Sequence, residues 1–192
     1  MSQPTLINKH RCPRCLRDQL YIDYHDKEWG VPVHDDQKHF EFLVLETFQA
    51  GLSRYTILAK RENFRRAFDG FTPHKIANYT TAKIDELATD AGIIRNRAKI
   101  IATVTNARVF LDIQKKRWSR ETFIRRYTDG QTIYNQRTDH RDCPAKTALS
   151  DRISADLKQL GMKFVGSTVI YAHLQATGQI NDHVVDCWKY GG

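Results

Sequence analysis

His183 and Cys187 stand four residues apart near the C-terminal end, in the stretch Asn181-Asp182-His183-Val184-Val185-Asp186-Cys187-Trp188. On a helix that spacing puts an imidazole and a thiolate one turn apart on one face, half of a tetrahedral zinc site. Partners for the other half stand in the first 25 residues, where Cys12-Pro13-Arg14-Cys15 forms a C-x-x-C pair and His25 follows. Two thiols at that spacing grip one ion, against the plainer reading of two unrelated cysteines. If both halves hold one metal, they pin the two ends of the chain together. A second chemical candidate is Glu46, an acid set in a mostly hydrophobic stretch with Phe40, Phe42, Leu43, Val44, Leu45 and Phe48. A carboxylate against an apolar wall has its pKa pushed upward or recruits a donor. A third is the run from Leu20 to Gly30, whose aromatics Tyr21, Tyr24 and Trp29 suit either a core or the lining of a site.

The elements that must position these groups read as helices. Asp35 or Asp36 caps a helix to about Gln49, with Phe40, Leu43, Val44, Thr47 and Phe48 at helical spacing. Ala50-Gly51-Leu52-Ser53 breaks it: Gly51 suits a C-terminal cap, Ser53 caps the next helix over about 54–68, and Leu52 sits at the tip of the corner. Short helices are expected from Pro73 and from Thr81, then a long basic helix over about 95–115 with Arg97, Ile100, Ile101, Val104, Arg108 and Leu111 on one side. Further helices are expected near 120–127, 150–160 and 167–177, with 130–144 as the main irregular connection. No convincing pair of alternating strands emerges, so the fold class is all-α. Residues 1–11 read as a loose polar arm.

Bulk properties set the class. The 192 residues are 41% hydrophobic and 27% charged, ordinary for one or two compact soluble domains. Thirty Lys and Arg against 22 Asp and Glu give a formal charge of +8, which favours a polyanionic partner without requiring one. No apolar run approaches a membrane span and no signal-peptide core opens the chain, so a cytoplasmic protein is expected. Four cysteines in that setting argue for metal or packing and against a disulfide framework.

Two helices joined by Gly161-Met162-Lys163-Phe164-Val165-Gly166 form a helix-hairpin-helix arrangement. Its glycines permit tight, partly left-handed geometry, and the free amides opening the second helix make a phosphate site indifferent to base sequence. Lys163 adds a mobile charge. An ordinary αα-corner is the competing reading.

With these pieces in order, the chain resembles the 3-methyladenine DNA glycosylase I (TAG) family of helix-hairpin-helix glycosylases, from about Cys12 to Cys187. The resemblance rests on Leu20-Tyr21-Ile22-Asp23-Tyr24-His25-Asp26, Glu28-Trp29-Gly30-Val31-Pro32, Leu45-Glu46, Gln49-Ala50-Gly51-Leu52-Ser53 and Lys60-Arg61-Glu62-Asn63-Phe64. It continues through Asp90-Ala91-Gly92-Ile93-Ile94-Arg95, Asn106-Ala107-Arg108, Phe164-Val165-Gly166 and Asn181-Asp182-His183-Val184-Val185 with Cys187. The resemblance implies a single glycosylase unit over 1–192, a structural zinc on Cys12, His25, His183 and Cys187, and no need of a dissociable cofactor. It implies a monofunctional DNA N-glycosylase that flips N3-methyladenine out of alkylated double-stranded DNA and releases the free base by hydrolysis. Glu46 then contacts the base and carries the catalysis, with Tyr24, Tyr21 and Trp29 lining the pocket. Gly51 and Leu52 enter the gap left in the helix, and Gly161, Lys163 and Gly166 hold phosphate. Asp182 lies near the catalytic Asp of related glycosylases, a role this family lacks. A monomer is implied.

Cys15 is an extra thiol outside the family's ligand pattern. The family's aromatics at Arg54, where an indole stacks on the base, and at Arg14 are both Arg here. A guanidinium stacks on neutral bases. Beside a cationic purine at ~4 Å and an effective dielectric of ~20 it costs about 4 kcal/mol before relaxation. Weakened or redirected excision is therefore expected, with a non-catalytic DNA- or lesion-binding protein as the alternative function.

Overall fold

The computed structural model describes residues 9–116 and 120–191, with side chains described throughout except at 120–122. Among these residues the helices are α1 (Gln19–Lys27), α2 (Asp36–Gln49), α3 (Arg54–Ala67), α4 (Pro73–Ile76), α5 (Thr81–Thr89), α6 (Arg97–Lys115), α7 (Arg120–Arg125), α8 (Ala148–Gln159) and α9 (Ser167–Ala176). The helical class stands, with one departure: Ile133–Tyr134 (β1) pairs in parallel with Ile180–Asn181 (β2). Two residues are too few to show alternation, so the pairing leaves no periodic signal in sequence. It draws the irregular stretch after α7 against the strand that leads into His183.

Helix starts follow local chemistry. Asp18, Asp35, Ser53, Thr80, Asn96 and Thr147 each accept a backbone N–H of the first turn of their helices. The α2 helix is buried at every residue from His39 to Phe48, so it is the central rod on which α3, α6 and α9 pack. The α6 stripe is rotated from the expected one. Ile100, Val104, Ala107 and Phe110 are buried, whereas Ile101 is 39% exposed and Arg97 and Arg108 face outward. The main core joins Phe40, Phe48, Phe64, Phe68, Phe71 and Phe110 with the apolar faces of α8 and α9.

The two chain ends meet. Trp188 donates its backbone N–H to the His10 carbonyl, Lys9 lies 3.4 Å from the centre of the Trp188 ring, and Arg11 forms a bidentate pair with Asp26. Residues 9–11 are thus held against the end of the chain and differ from the loose arm expected there. Residues 1–8 of that arm lie outside the described residues. No described helix is long and apolar enough to cross a membrane.

Candidate functional site

The four expected metal ligands converge. Cys12, His25, His183 and Cys187 are all buried, and one ligand atom from each lies within 4.8 Å of all the others. Tetrahedral zinc with Zn–S near ~2.3 Å and Zn–N near ~2.05 Å sets S···N edges of about 3.6 Å and an N···N edge of about 3.3 Å. The structure has S···N separations of 3.5, 3.5 and 3.7 Å and His25 Nε2 to His183 Nδ1 at 3.2 Å. The outer nitrogens are also oriented. His25 Nδ1 faces Asp26 Oδ1 at 2.8 Å and His183 Nε2 faces the Trp29 carbonyl at 3.2 Å, the usual outer partners of metal-bound imidazoles. The donor set, these four edges and the outer contacts fit a metal ion, and the two remaining edges are no longer than 4.8 Å.

Two details differ from the sequence reading. His183 and Cys187 are not on a helix; a turn with Cys187 N–H donating to the Val184 carbonyl brings them together. Four residues of helix and a tight turn close the same distance, so the spacing alone does not separate them. Cys15 stands outside the quartet, its thiol donating to the Cys12 carbonyl at 3.1 Å. Gly30 explains how closely the cluster is packed: at φ 76° it approaches His183 so nearly that an added Cβ would lie 2.8 Å from Nε2.

Beside the cluster opens a cleft of about 470 Å³ lined by Tyr21, Tyr24, Trp29, Arg14, Arg54, Gln175 and Asp182 among others. Tyr21, Tyr24 and His25 fall on one face of α1, which therefore serves cleft and metal cluster together. Tyr24 and Arg54 also wall a second, neighbouring cavity that contains Glu46. Burial pushes the Glu46 carboxyl above the ordinary carboxylate range, and the Arg54 charge pulls it partly back. Its Oε2 is buried without a hydrogen-bond partner. Such a group costs stability unless a ligand supplies a donor.

Arg54 points into the cleft and not out to solvent. Its guanidinium lies 5.5 Å from the Trp29 ring centre, Nη2 donates to Gln175 Oε1 at 3.3 Å, and Nε is buried without a partner. Gln175 is fixed in turn, its Nε2 donating to Asp182 Oδ2 at 2.7 Å. Asp182 also accepts from Tyr171, Asn135, Arg137 and Cys143. Burial raises the Asp182 pKa, but these donors outweigh it and hold the carboxyl below its ordinary value. With its oxygens engaged in this way, Asp182 is placed to orient its neighbours and is a weaker base than a free carboxylate. Sequence reasoning missed Gln175 and Asn135. The available signal was a lone amide in the apolar helix Ser-Thr-Val-Ile-Tyr-Ala-His-Leu-Gln-Ala, a few residues before Asn181-Asp182.

The remaining site residues form two exposed corners held by α6. Leu52 is 43% exposed behind Gly51 at φ 85°. Lys99 donates to the carbonyls of Phe48 and Ala50 at 3.1 and 2.8 Å, closing the end of α2 that precedes them. Asn106 clamps the other corner, donating to the Lys163 carbonyl at 2.9 Å and accepting its N–H at 2.8 Å. Lys99 and Asn106 are two turns apart on one helix face, about 10 Å along it, so α6 spaces the two corners. In the second corner Gly161 takes φ 96°, but Gly166 does not need its freedom. Its φ is −60°, the left-handed position falls to Phe164 at φ 54°, and an added Cβ on Gly166 would meet nothing within 4 Å. Gly166 caps α9 with no side chain on the helix amides.

A family model described as methyladenine glycosylase matches residues 14–190. The chain belongs to that family. It is 44% identical over 182 residues to DNA-3-methyladenine glycosylase 1 of Escherichia coli (strain K12), covering 95% of this chain and 97% of the relative. Its fold superposes on a crystal structure of 3-methyladenine DNA glycosylase I with a TM-score of 0.92, at 42% identity over 94% of this chain and 100% of the other. A Staphylococcus aureus structure described as the basis of 3-methyladenine recognition gives 0.90, at 35% identity over 95% and 97%.

Proposed function

We propose that the chain is a base-excision repair glycosylase that releases 3-methyladenine from alkylated DNA, with Glu46 and the cleft beside it as the base site. The observation that carries this is the orphaned Oε2 of Glu46 in a cavity walled by Tyr24. An adenine edge supplies the missing donor through its exocyclic amine. The Escherichia coli and Staphylococcus aureus relatives, named for this activity and this base, point the same way, and the non-catalytic alternative is not favoured.

The chemistry follows from the lesion. Methylation at N3 leaves the purine cationic, so its bond to C1′ breaks with the electron pair passing to the base, which leaves neutral. Water adds to C1′ and gives its proton to solvent. The protein must extract the nucleotide, hold the base and keep the sugar open to water. Tyr21, Tyr24 and Trp29 provide faces for the base, Leu52 behind Gly51 fills the vacated stack, and the amides after Gly166 with Lys163 hold backbone phosphate, the helix-hairpin-helix role. The open space around Gly166 supports the last assignment: the chain's own fold does not exclude a Cβ there, whereas close approach of a phosphate would.

The Cys12, His25, His183 and Cys187 cluster is assigned to a structural zinc. Four protein ligands leave no position for an activated water, so the ion would supply cross-linking and no chemical step. The whole of 1–192 then acts as one unit, a cytoplasmic monomer. The experiment is release of free 3-methyladenine from methylated duplex DNA, resolved chromatographically. Release with an intact sugar–phosphate backbone at the abasic product supports the reading; duplex binding without release overturns it.

A further inference from the structure

Two unsatisfied groups line neighbouring cavities with a common wall: the acceptor Glu46 Oε2 and the donor Arg54 Nε. Arg54 is a cation of the wall itself, shared by the cleft and the neighbouring cavity. Among the described residues no carboxylate lies within ion-pair distance of it, Glu46 acting on it only through its charge, and its contact with Gln175 Oε1 is long for a charged donor. A buried guanidinium with an unused N–H is costly unless a ligand completes it. Its direction is not accidental: Asp182 takes the Gln175 amide N–H₂, which forces Oε1 toward Arg54 and keeps the guanidinium inside the cleft.

We propose that Arg54 is a specificity-determining residue that donates a hydrogen bond to a ring nitrogen of the extruded purine, beside the amine read by Glu46. The pair then reads a donor and a neighbouring acceptor on one base edge, the pattern of a 6-aminopurine and not of a 6-oxopurine, whose oxygen would face the Glu46 acceptor. The same contact has a kinetic consequence. The alkylated purine is cationic in DNA and neutral once released, so Arg54 repels the bound substrate and donates more strongly as electrons arrive on the ring. Loss of Arg54 therefore lowers kcat and also lowers KM, the signature of an interaction worse in the ground state than in the transition state. This inference rests on the reading of Glu46 and the cleft as the base site.

The test is binding of free bases to the intact protein, followed by quenching of tryptophan fluorescence, since Trp29 lines the cleft. The probes are 3-methyladenine and its 1-deaza and 7-deaza analogues, each of which lacks one ring acceptor. Wild type should lose about 10- to 100-fold in affinity for one of the two analogues, the range for a hydrogen bond to a charged donor. In Arg54→Met that difference should fall below about threefold. Equal binding of all three bases by wild type overturns the inference without any variant, as does discrimination that persists in a folded Arg54→Met protein. Failure of wild type to bind 3-methyladenine at all overturns the base-site reading as well, so the two failures are distinguishable.

Discussion

Removing the metal is expected to loosen the protein before it alters any chemical step. The cluster links positions far apart in the chain: Cys12 and His183 are separated by 171 positions, His25 and Cys187 by 162. Treated as one cross-link closing a loop of that length, the loss of denatured-state entropy stabilises the fold by about 5 kcal/mol. For a chain of this size each kcal/mol moves Tm by about 2–4 °C, which sets a drop of about 10–20 °C on demetallation. Residual structure in the denatured chain shrinks this entropic part. The assay is elemental analysis for zinc, then thermal unfolding of the native protein, the chelated protein and the chelated protein with zinc restored. Cys187→Ser should reproduce the chelated state, and zinc should not rescue it. One zinc per chain and a zinc-reversible fall in Tm are the expected results. A protein that purifies without zinc, or keeps its Tm within about 2 °C after losing it, refutes the reasoning. Gly30→Ala offers an independent route to the same loss, because its Cβ would meet His183 Nε2.

Three further outcomes follow from single groups. Burial holds the Glu46 carboxyl above its ordinary pKa, so the favourable contribution of the protonated form is complete below that ordinary value and is lost as pH rises through the folded pKa. Glu46→Gln should therefore raise Tm at neutral pH, with the gain shrinking on acidification, as followed by unfolding across pH. Asp182→Asn leaves several donors short of a charged acceptor and should cost at least about 2 kcal/mol in denaturant unfolding. Gly166→Ala should leave Tm within about 2 °C, since the added Cβ meets nothing, yet weaken binding of an abasic duplex several-fold by titration.

Much of the fold was legible because the helices announce themselves. The α2 and α3 boundaries, including the Ser53 cap, fall within a residue or two of where spacing and capping chemistry place them. The candidate metal quartet was legible only through the resemblance, since the sequence leaves Cys12, Cys15 and His25 equivalent; what sets Cys15 apart is a turn that aims its thiol at a carbonyl. The apolar surroundings of Glu46 foretold its burial. The inward aim of Arg54 depends on Gln175 and Asp182, which reach the cleft from α9 and from the residue just after β2. Long-range polar networks of this kind carry no periodicity and cannot be read from local pattern.

The central claim is that Glu46 reads the extruded base from the cavity beside the cleft. Single-turnover release of 3-methyladenine from methylated duplex DNA by wild type, Glu46→Gln and Glu46→Leu tests it most directly. The account predicts release by wild type and a loss of at least about tenfold in both variants, the worth of a hydrogen bond to a charged group, with duplex affinity and fold unchanged. Wild-type rates in either variant, with the variants folded and bound to DNA, would contradict it.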